Sequence, residues 1–169
     1  MEIPPVAFNA SQLLLDAVGA SRRHTVAASG SLRGGTVELV RINAGALVRA
    51  SLEIALDAEC ARCLTPLTTV APIVFDEVYE QRYEVATGAA LGEPDADPEA
   101  FGIGRDHMID ITEGVRQYCE VAAPMQPLCS VDCEGLCQSC GIDRSVGECA
   151  CEAESGDQRW AALAALKRE

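Results

Sequence analysis

The stretch VRASLEIALDAEC, from Val48 to Cys60, decides the fold because its side chains alternate between two classes. Apolar residues occupy every second position, whereas the intervening positions are mostly polar or charged. A period of two over this length predicts an antiparallel strand with one face in the core and the other in water. Cys60 is in phase with the face that should be buried.

The segments on either side predict partners for this strand. TVELVRI (36–42) has the composition of a strand, and NAGA (43–46) has the residues of a hairpin turn. Residues 67–85 predict one further strand or two, with Pro72 indicating a sheet edge or a bulge. We therefore predict an α+β fold: an antiparallel β-meander with a few short helices and a C-terminal cysteine-rich, metal-braced module.

Segment 21–35 is rich in turn-forming residues and predicts at most one irregular strand. His24 lies in this segment beside two arginines, with no second histidine nearby. We therefore interpret His24 as a surface residue rather than a metal ligand.

Three helices are predicted. Asn9 and Gln12 have the spacing of a capping box before the first helix, and Asp110 and Glu113 have it before the second. The second helix has one apolar face, on which we expect Cys119 to fill core space rather than bind a metal. The last helix, capped at Ser155 or Asp157, would carry three large apolar side chains on one side: Trp160, Leu163 and Leu166.

Residues 86–106 are rich in Gly, Pro and acidic residues and have no periodicity, which predicts a flexible linker. The predicted organisation has three parts. Residues 1–85 hold a helix and the β region with its CxRC turn, 86–106 form the acidic linker, and 107–169 hold a helix, the cysteine-rich module and the final helix.

The chain has 169 residues and a net charge of −13. Nucleic-acid phosphates are held by clustered Lys and Arg, so an acidic chain favours a basic protein partner over naked RNA. Six arginines in the N-terminal β half could still form a local RNA patch, although scattered solvated side chains are the favoured interpretation: Arg22, Arg23, Arg33, Arg41, Arg49 and Arg62. The sequence shows neither a membrane span nor a secretory signal, so we expect a cytoplasmic location and reduced thiols.

Six of the nine cysteines lie between residues 128 and 151. Within this run, Cys137-x2-Cys140-Gly141 has the form of a zinc knuckle, and Cys149-x-Cys151 offers two more thiolates. We predict a structural Zn²⁺ bound by these four cysteines. The competing ligands are Cys129 and Cys133, and the alternatives to zinc are an iron–sulfur cluster or a set of unligated buried thiols.

Cys60-x2-Cys63 stands apart from this run in the sequence. It could be a redox dithiol, half of a metal site or two reduced thiols in a turn. A thioredoxin-like motif should open a helix, but Pro66 follows here and no helical pattern does. Whether the pair joins the C-terminal cysteines is left open by the sequence.

Several of these segments together resemble the YceD family. The resemblance covers nearly the whole chain and rests on C-x-R-C-L-x-P-L (Cys60 to Leu67) combined with C-x3-C-x-G-L-C-x2-C-G (Cys129 to Gly141). It implies a cytoplasmic bacterial accessory protein that is needed for accumulation of large-subunit ribosomal RNA and has no known enzymatic activity. Together with the acidic charge, this role leads us to expect a ribosomal protein or assembly precursor as the partner.

Two classes of function therefore stay open. The first is a non-catalytic ribosome-biogenesis factor, of which a purely structural zinc-binding interaction module is a variant. The second is an enzyme, either a thiol oxidoreductase that uses Cys60 and Cys63 or a zinc hydrolase. A hydrolytic zinc needs an open coordination position and a general base. His107 is the only candidate base and has no partner in the sequence, so we predict no catalytic residue and no small-molecule substrate.

Overall fold

The structure, a computed structural model, describes residues 3–92, 100–151 and 159. The chain divides into two compact units. The sheet unit comprises Met1–Glu59 and Pro66–Pro127, and the cysteine unit comprises Cys60–Thr65 and Leu128–Glu169. The predicted three-part division at residues 85 and 106 stays a prediction.

The helices and strands of the described residues all belong to the sheet unit. They are, in chain order, β1 (Ala7–Asn9), α1 (Ser11–Leu15), β2 (Ser21–Val26), β3 (Leu32–Ile42), β4 (Gly45–Glu59), β5 (Pro66–Gln81), β6 (Phe101–Ile103), β7 (Met108–Asp110) and α2 (Thr112–Ala122). None of the helices in the described ranges is long and apolar enough to cross a membrane.

The main sheet has the strand order β2-β3-β4-β5-β6. Its first four strands pair antiparallel with their neighbours in the sequence, which confirms the predicted meander and the α+β class. β3 and β4 meet with Ile42 opposite Gly45, so Asn43 and Ala44 form the predicted hairpin turn. β6 joins β5 in parallel, and β1 pairs with β7 in a separate two-stranded sheet.

β4 buries one face as its alternation predicts. Val48, Leu52 and Ile54 are buried, whereas Arg49 and Glu53 are exposed. Fully burying a large aliphatic side chain contributes about 1.5–3 kcal/mol, so this alternation holds the strand in one register. Residues 60–65 then connect β4 to β5, whose pairing starts at Glu59 and Pro66.

β5 is one strand of 16 residues rather than two. Pro72 lies opposite Glu53 of β4, and β6 pairs with β5 only at Tyr79–Gln81. Among the described residues, the outer side of β5 at Pro72 therefore has no partner strand. This position confirms the prediction of a sheet edge, where a missing N–H disrupts no ladder.

The core of the sheet unit lies between the sheet and the two helices. α1 contacts β3 and α2 contacts β5. Tyr118 of α2 stacks on Phe75 of β5 with ring centroids 4.7 Å apart, and its hydroxyl donates to Glu77 at 2.8 Å. Cys119 is buried in the same core, as predicted, and burial raises the pKa of its thiol.

Each helix begins two residues after the predicted capping residue, at Ser11 and Thr112, and neither N-cap residue makes a side-chain hydrogen bond to its helix. The Asn9 side chain accepts from the N–H of Ser11 at 3.0 Å, and the Asp110 side chain accepts from the N–H of Thr112 at 2.9 Å. Glu113 does not reach back across the helix start, because it is paired with Arg116. The capping-box prediction was therefore wrong, although acidic and amide side chains at the two starts do satisfy backbone donors.

Other sequence expectations need correction. Phe101–Ile103, inside the range predicted as linker, forms β6, because apolar Ile103 is buried beside β5. Segment 21–26 is a regular strand rather than an irregular one, since every residue pairs with β3. His24 is half-buried rather than fully on the surface because Phe8 packs on its ring at 4.7 Å. The predicted C-terminal helix with Trp160, Leu163 and Leu166 lies outside the described residues.

Candidate metal centres

Two groups of four cysteines occur within the described residues, and both lie in the cysteine unit. We call them the Cys60 group (Cys60, Cys63, Cys129 and Cys133) and the Cys137 group (Cys137, Cys140, Cys149 and Cys151). In each group the four sulfur atoms lie within 4.8 Å of one another. A tetrahedral ion with metal–sulfur bonds of about 2.3 Å needs sulfur atoms about 3.8 Å apart, so both groups could hold a metal.

The Cys60 group joins two distant segments of the chain. The Sγ atoms of Cys60 and Cys133 are 3.8 Å apart, and those of Cys63 and Cys129 are 3.6 Å apart. Cys60, Cys63 and Cys133 are buried, whereas Cys129 is exposed. The sulfur-to-sulfur contacts therefore run between the two segments, which is the arrangement of a shared ligand set.

Arg62, inside the CxRC turn, fastens the two segments together. Its guanidinium donates to the carbonyl oxygens of Cys133 at 2.8 Å and Val131 at 3.4 Å. Its own carbonyl accepts from the N–H of Leu136 at 3.1 Å. These contacts correct the reading of Arg62 as a simple solvated arginine, because its side chain positions the loop that carries Cys133.

The Cys137 group is local in the sequence and more open to solvent. Cys137 is buried, Cys149 is half-buried, and Cys140 and Cys151 are exposed. An isolated bridge between Leu136 and Asp143 closes the hairpin that contains the first two ligands.

Both groups begin with the same turn, which we call a knuckle. In the first knuckle, Cys60–Thr65, the N–H of Cys60 donates to Thr65 O and the N–H of Leu64 donates to Cys60 O, both at 2.9 Å. In the second, 137–142, the N–H of Cys137 donates to Ile142 O and the N–H of Gly141 donates to Cys137 O, both at 2.8 Å. Each turn places two thiols on one side of a tight loop, as zinc knuckles do.

The thiols of each group have unequal proton affinities. The backbone N–H groups of Cys129 and then Cys63 lower the pKa of Cys60 to about 6, and those of Cys140 and Ser139 lower the pKa of Cys137 to about 6. Hydrogen bonding to neighbouring thiols, foremost Cys133 and Cys140 respectively, raises the pKa of Cys129 and of Cys151 to about 12. Each group thus stabilises one thiolate, and further ionisation is opposed until a cation arrives.

The structure brings together the four predicted zinc ligands of the Cys137 group. It places Cys129 and Cys133 with Cys60 and Cys63 instead, so those two are not competitors for the same position. The complete Cys60 group was missed from the sequence. Its one available signal was that Cys60-x2-Cys63 has no partner pair nearby, whereas the C-terminal run holds one pair more than the four ligands that a single ion needs.

All-thiolate donor sets suit Zn²⁺ or iron–sulfur clusters, and four protein ligands leave no open position for a substrate. Neither histidine of the chain belongs to either four-cysteine group among the described residues. His107 lies in the sheet unit, where its carbonyl accepts from the N–H of Ala10 at 2.9 Å. The geometry of each group therefore provides four thiol ligands that could hold a metal ion.

Comparison with known proteins gives a consistent family assignment. The chain is 30% identical to an uncharacterized protein of Mycobacterium tuberculosis over 124 residues, which cover 72% of this chain and 56% of the relative. It is also 30% identical to an uncharacterized protein of Mycobacterium leprae over 84 residues, which cover 50% of this chain and 36% of the relative. The chain thus spans about half the length of the first of these relatives, and no solved structure matches it. Residues 48–167 match the model of the family described as large ribosomal RNA subunit accumulation protein YceD, and the chain belongs to that family.

Proposed function

We propose that this protein is a non-catalytic accessory factor in ribosome biogenesis, which supports accumulation of large-subunit ribosomal RNA through protein or ribonucleoprotein contacts in the cytoplasm. The observation that carries the proposal is the family match over residues 48–167, which contains both cysteine groups. The net charge of −13 supports a basic ribosomal protein or assembly precursor as the partner.

The cysteine groups have a structural role in this proposal. Zn²⁺ bound by Cys137, Cys140, Cys149 and Cys151 would hold loops that have few large buried side chains of their own. Among the described residues of the cysteine unit, the aliphatic Val131 and Val146 are exposed, whereas four cysteines are buried: Cys60, Cys63, Cys133 and Cys137. Metal–thiolate bonds would supply the stabilisation that buried aliphatic side chains do not provide in the described part of this unit.

Arginine contacts also bear on the choice between a protein and an RNA partner. Within the sheet unit, Arg22 pairs with Asp16, Arg23 with Glu38 and Arg49 with Asp76. An arginine paired with a carboxylate offers less charge to a phosphate. These pairs support the interpretation of scattered arginines over that of an RNA-binding patch.

The test is depletion of the protein in growing cells, followed by complementation with the intact chain. We expect depletion to lower large-subunit relative to small-subunit ribosomal RNA, and complementation to restore the ratio. An unchanged ratio contradicts the proposal.

A thiol oxidoreductase is the second candidate because the pKa of Cys60 is lowered to about 6, which gives a thiolate at neutral pH. A lowered pKa is equally what a metal ligand requires. Turnover of a dithiol substrate by the wild-type protein, lost in Cys60→Ser/Cys63→Ser, would favour the enzyme.

A further inference from the structure

The two knuckles differ at one position that matters for backbone strain. Gly141, which follows the second cysteine of the second knuckle, has φ +74°. Leu64 occupies the equivalent position of the first knuckle with φ +62°. Both residues donate the same hydrogen bond to the first cysteine of their turn. Glycine adopts this left-handed conformation freely, whereas a leucine is strained in it.

Burial does not compensate the strain at Leu64. Its side chain is 59% exposed, so most of its apolar surface remains in water. A glycine would make the same turn, as Gly141 does. Strained residues that the fold does not need are concentrated at functional positions. The side chain of Leu64 therefore requires an explanation outside the folding of the turn.

Further apolar side chains are exposed on the same cysteine group. Leu64 follows Cys63 in the sequence, and Leu128 precedes Cys129. The sulfur atoms of these two cysteines lie 3.6 Å apart. Val131 is 84% exposed, and its carbonyl accepts from Arg62 of the first knuckle. We call Leu64, Leu128 and Val131 the Leu64 surface.

The charges around this surface are acidic. Asp132 and Glu134 flank Cys133 and are exposed. The segment from 128 to 143 contains no lysine or arginine, and Arg62 is engaged with backbone carbonyls. Four thiolates around a divalent ion would add negative charge. Such a surface repels phosphates and suits an apolar pocket bordered by Lys and Arg.

We propose that the Leu64 surface is a docking site for a basic protein, with Leu64 inserted into an apolar pocket of that partner. This rests on the proposed function in one respect, because a ribosomal protein or assembly factor would be the natural basic partner. The strain at Leu64 is retained because the exposed side chain contributes to binding. Interface energy concentrates in a few such anchoring side chains.

The test uses the full chain with a photo-reactive amino acid at Val131, expressed in growing cells. A matched chain carries the same group at Val146, which is also 84% exposed but lies beside the Cys137 group. We expect a crosslink to a basic protein from position 131 and not from position 146. Adding Leu64→Gly to the first chain should reduce that crosslink by roughly tenfold or more, whereas Leu64→Met should retain it.

Folding is measured separately in each variant. Because glycine suits the positive φ, we expect Leu64→Gly to keep its metal content and to change Tm by less than about 4 °C. A crosslink that survives Leu64→Gly overturns the proposal, as does a crosslink to RNA, to an acidic protein or to a second copy of the chain. A Leu64-dependent crosslink to a basic protein unrelated to ribosomes, with unchanged ribosomal RNA on depletion, supports the docking site and contradicts the proposed function.

Discussion

The two cysteine groups use the same knuckle but obtain their other ligands differently. The Cys137 group takes all four cysteines from residues 137–151, whereas the Cys60 group brings Cys63 and Cys129 together across 66 positions. Three of the four cysteines are buried in the Cys60 group, but only one is in the Cys137 group. The comparison shows that one local motif can serve either an exposed local site or a buried site that joins distant segments.

Replacing a single cysteine ligand should have the largest effect, and its effect on Tm should differ between the two groups. Cys133→Ser removes a buried ligand and would release the loop that Arg62 holds, so we expect the loss of about one metal ion per chain and a fall in Tm of roughly 10 °C or more. Cys140→Ser removes an exposed ligand of the local group and should lower Tm by less. Thermal unfolding and elemental analysis measure both effects.

Cys119→Ser is the control, because Cys119 is buried in the sheet unit and belongs to neither group. It should alter stability without changing metal content. Equal metal content in wild type and Cys133→Ser would contradict a metal site in the Cys60 group.

Metal retention should depend on pH in both groups. The pKa values of Cys60 and Cys137 are lowered to about 6, so these thiolates persist at neutral pH and are protonated as the pH falls through 6. The raised pKa values of Cys129 and Cys151 mean that an incoming metal must displace protons. Affinity should therefore fall as pH falls, by up to about tenfold per pH unit for each displaced proton.

Chelator competition between pH 8 and pH 5 measures this dependence. The more exposed Cys137 group should lose its ion to the chelator first. Affinity that does not change with pH would contradict binding through thiolates.

The smallest effect expected is that of substituting two glycines, Gly135 just before the second knuckle and Gly141 within it. Gly135 and Gly141 both have φ +74°, but a Cβ on Gly135 would lie 2.9 Å from the carbonyl oxygen of Arg62, whereas one on Gly141 would meet nothing within 4 Å. We expect Gly135→Ala to cost about 2–3 kcal/mol and Gly141→Ala about 1 kcal/mol in the free energy of unfolding. Denaturant titration compares the two, and equal costs would contradict the close packing of Gly135 on Arg62.

Local patterns in the sequence were sufficient for much of the sheet unit. The alternation from Val48 to Cys60, the Asn43–Ala44 turn and the edge proline Pro72 each depend on near neighbours, and the structure confirms them. The capping box predicted at the second helix failed because Glu113 has a nearby competitor in Arg116. β6 was missed because a strand of three residues is too short to show periodicity.

By itself, the sequence determined the α+β class and the meander, because period-two alternation is encoded within a few residues. It also determined that four cysteines are close enough in the sequence to form a local group: Cys137, Cys140, Cys149 and Cys151. Only the tertiary structure decided that Cys60 and Cys63 face Cys129 and Cys133, and that Arg62 binds the backbone of their loop. Nothing in the spacing of two distant pairs specifies that they meet. Their meeting is a contact between residues that are 66 positions apart in the sequence, and a pattern that extends over a few residues cannot encode such a contact.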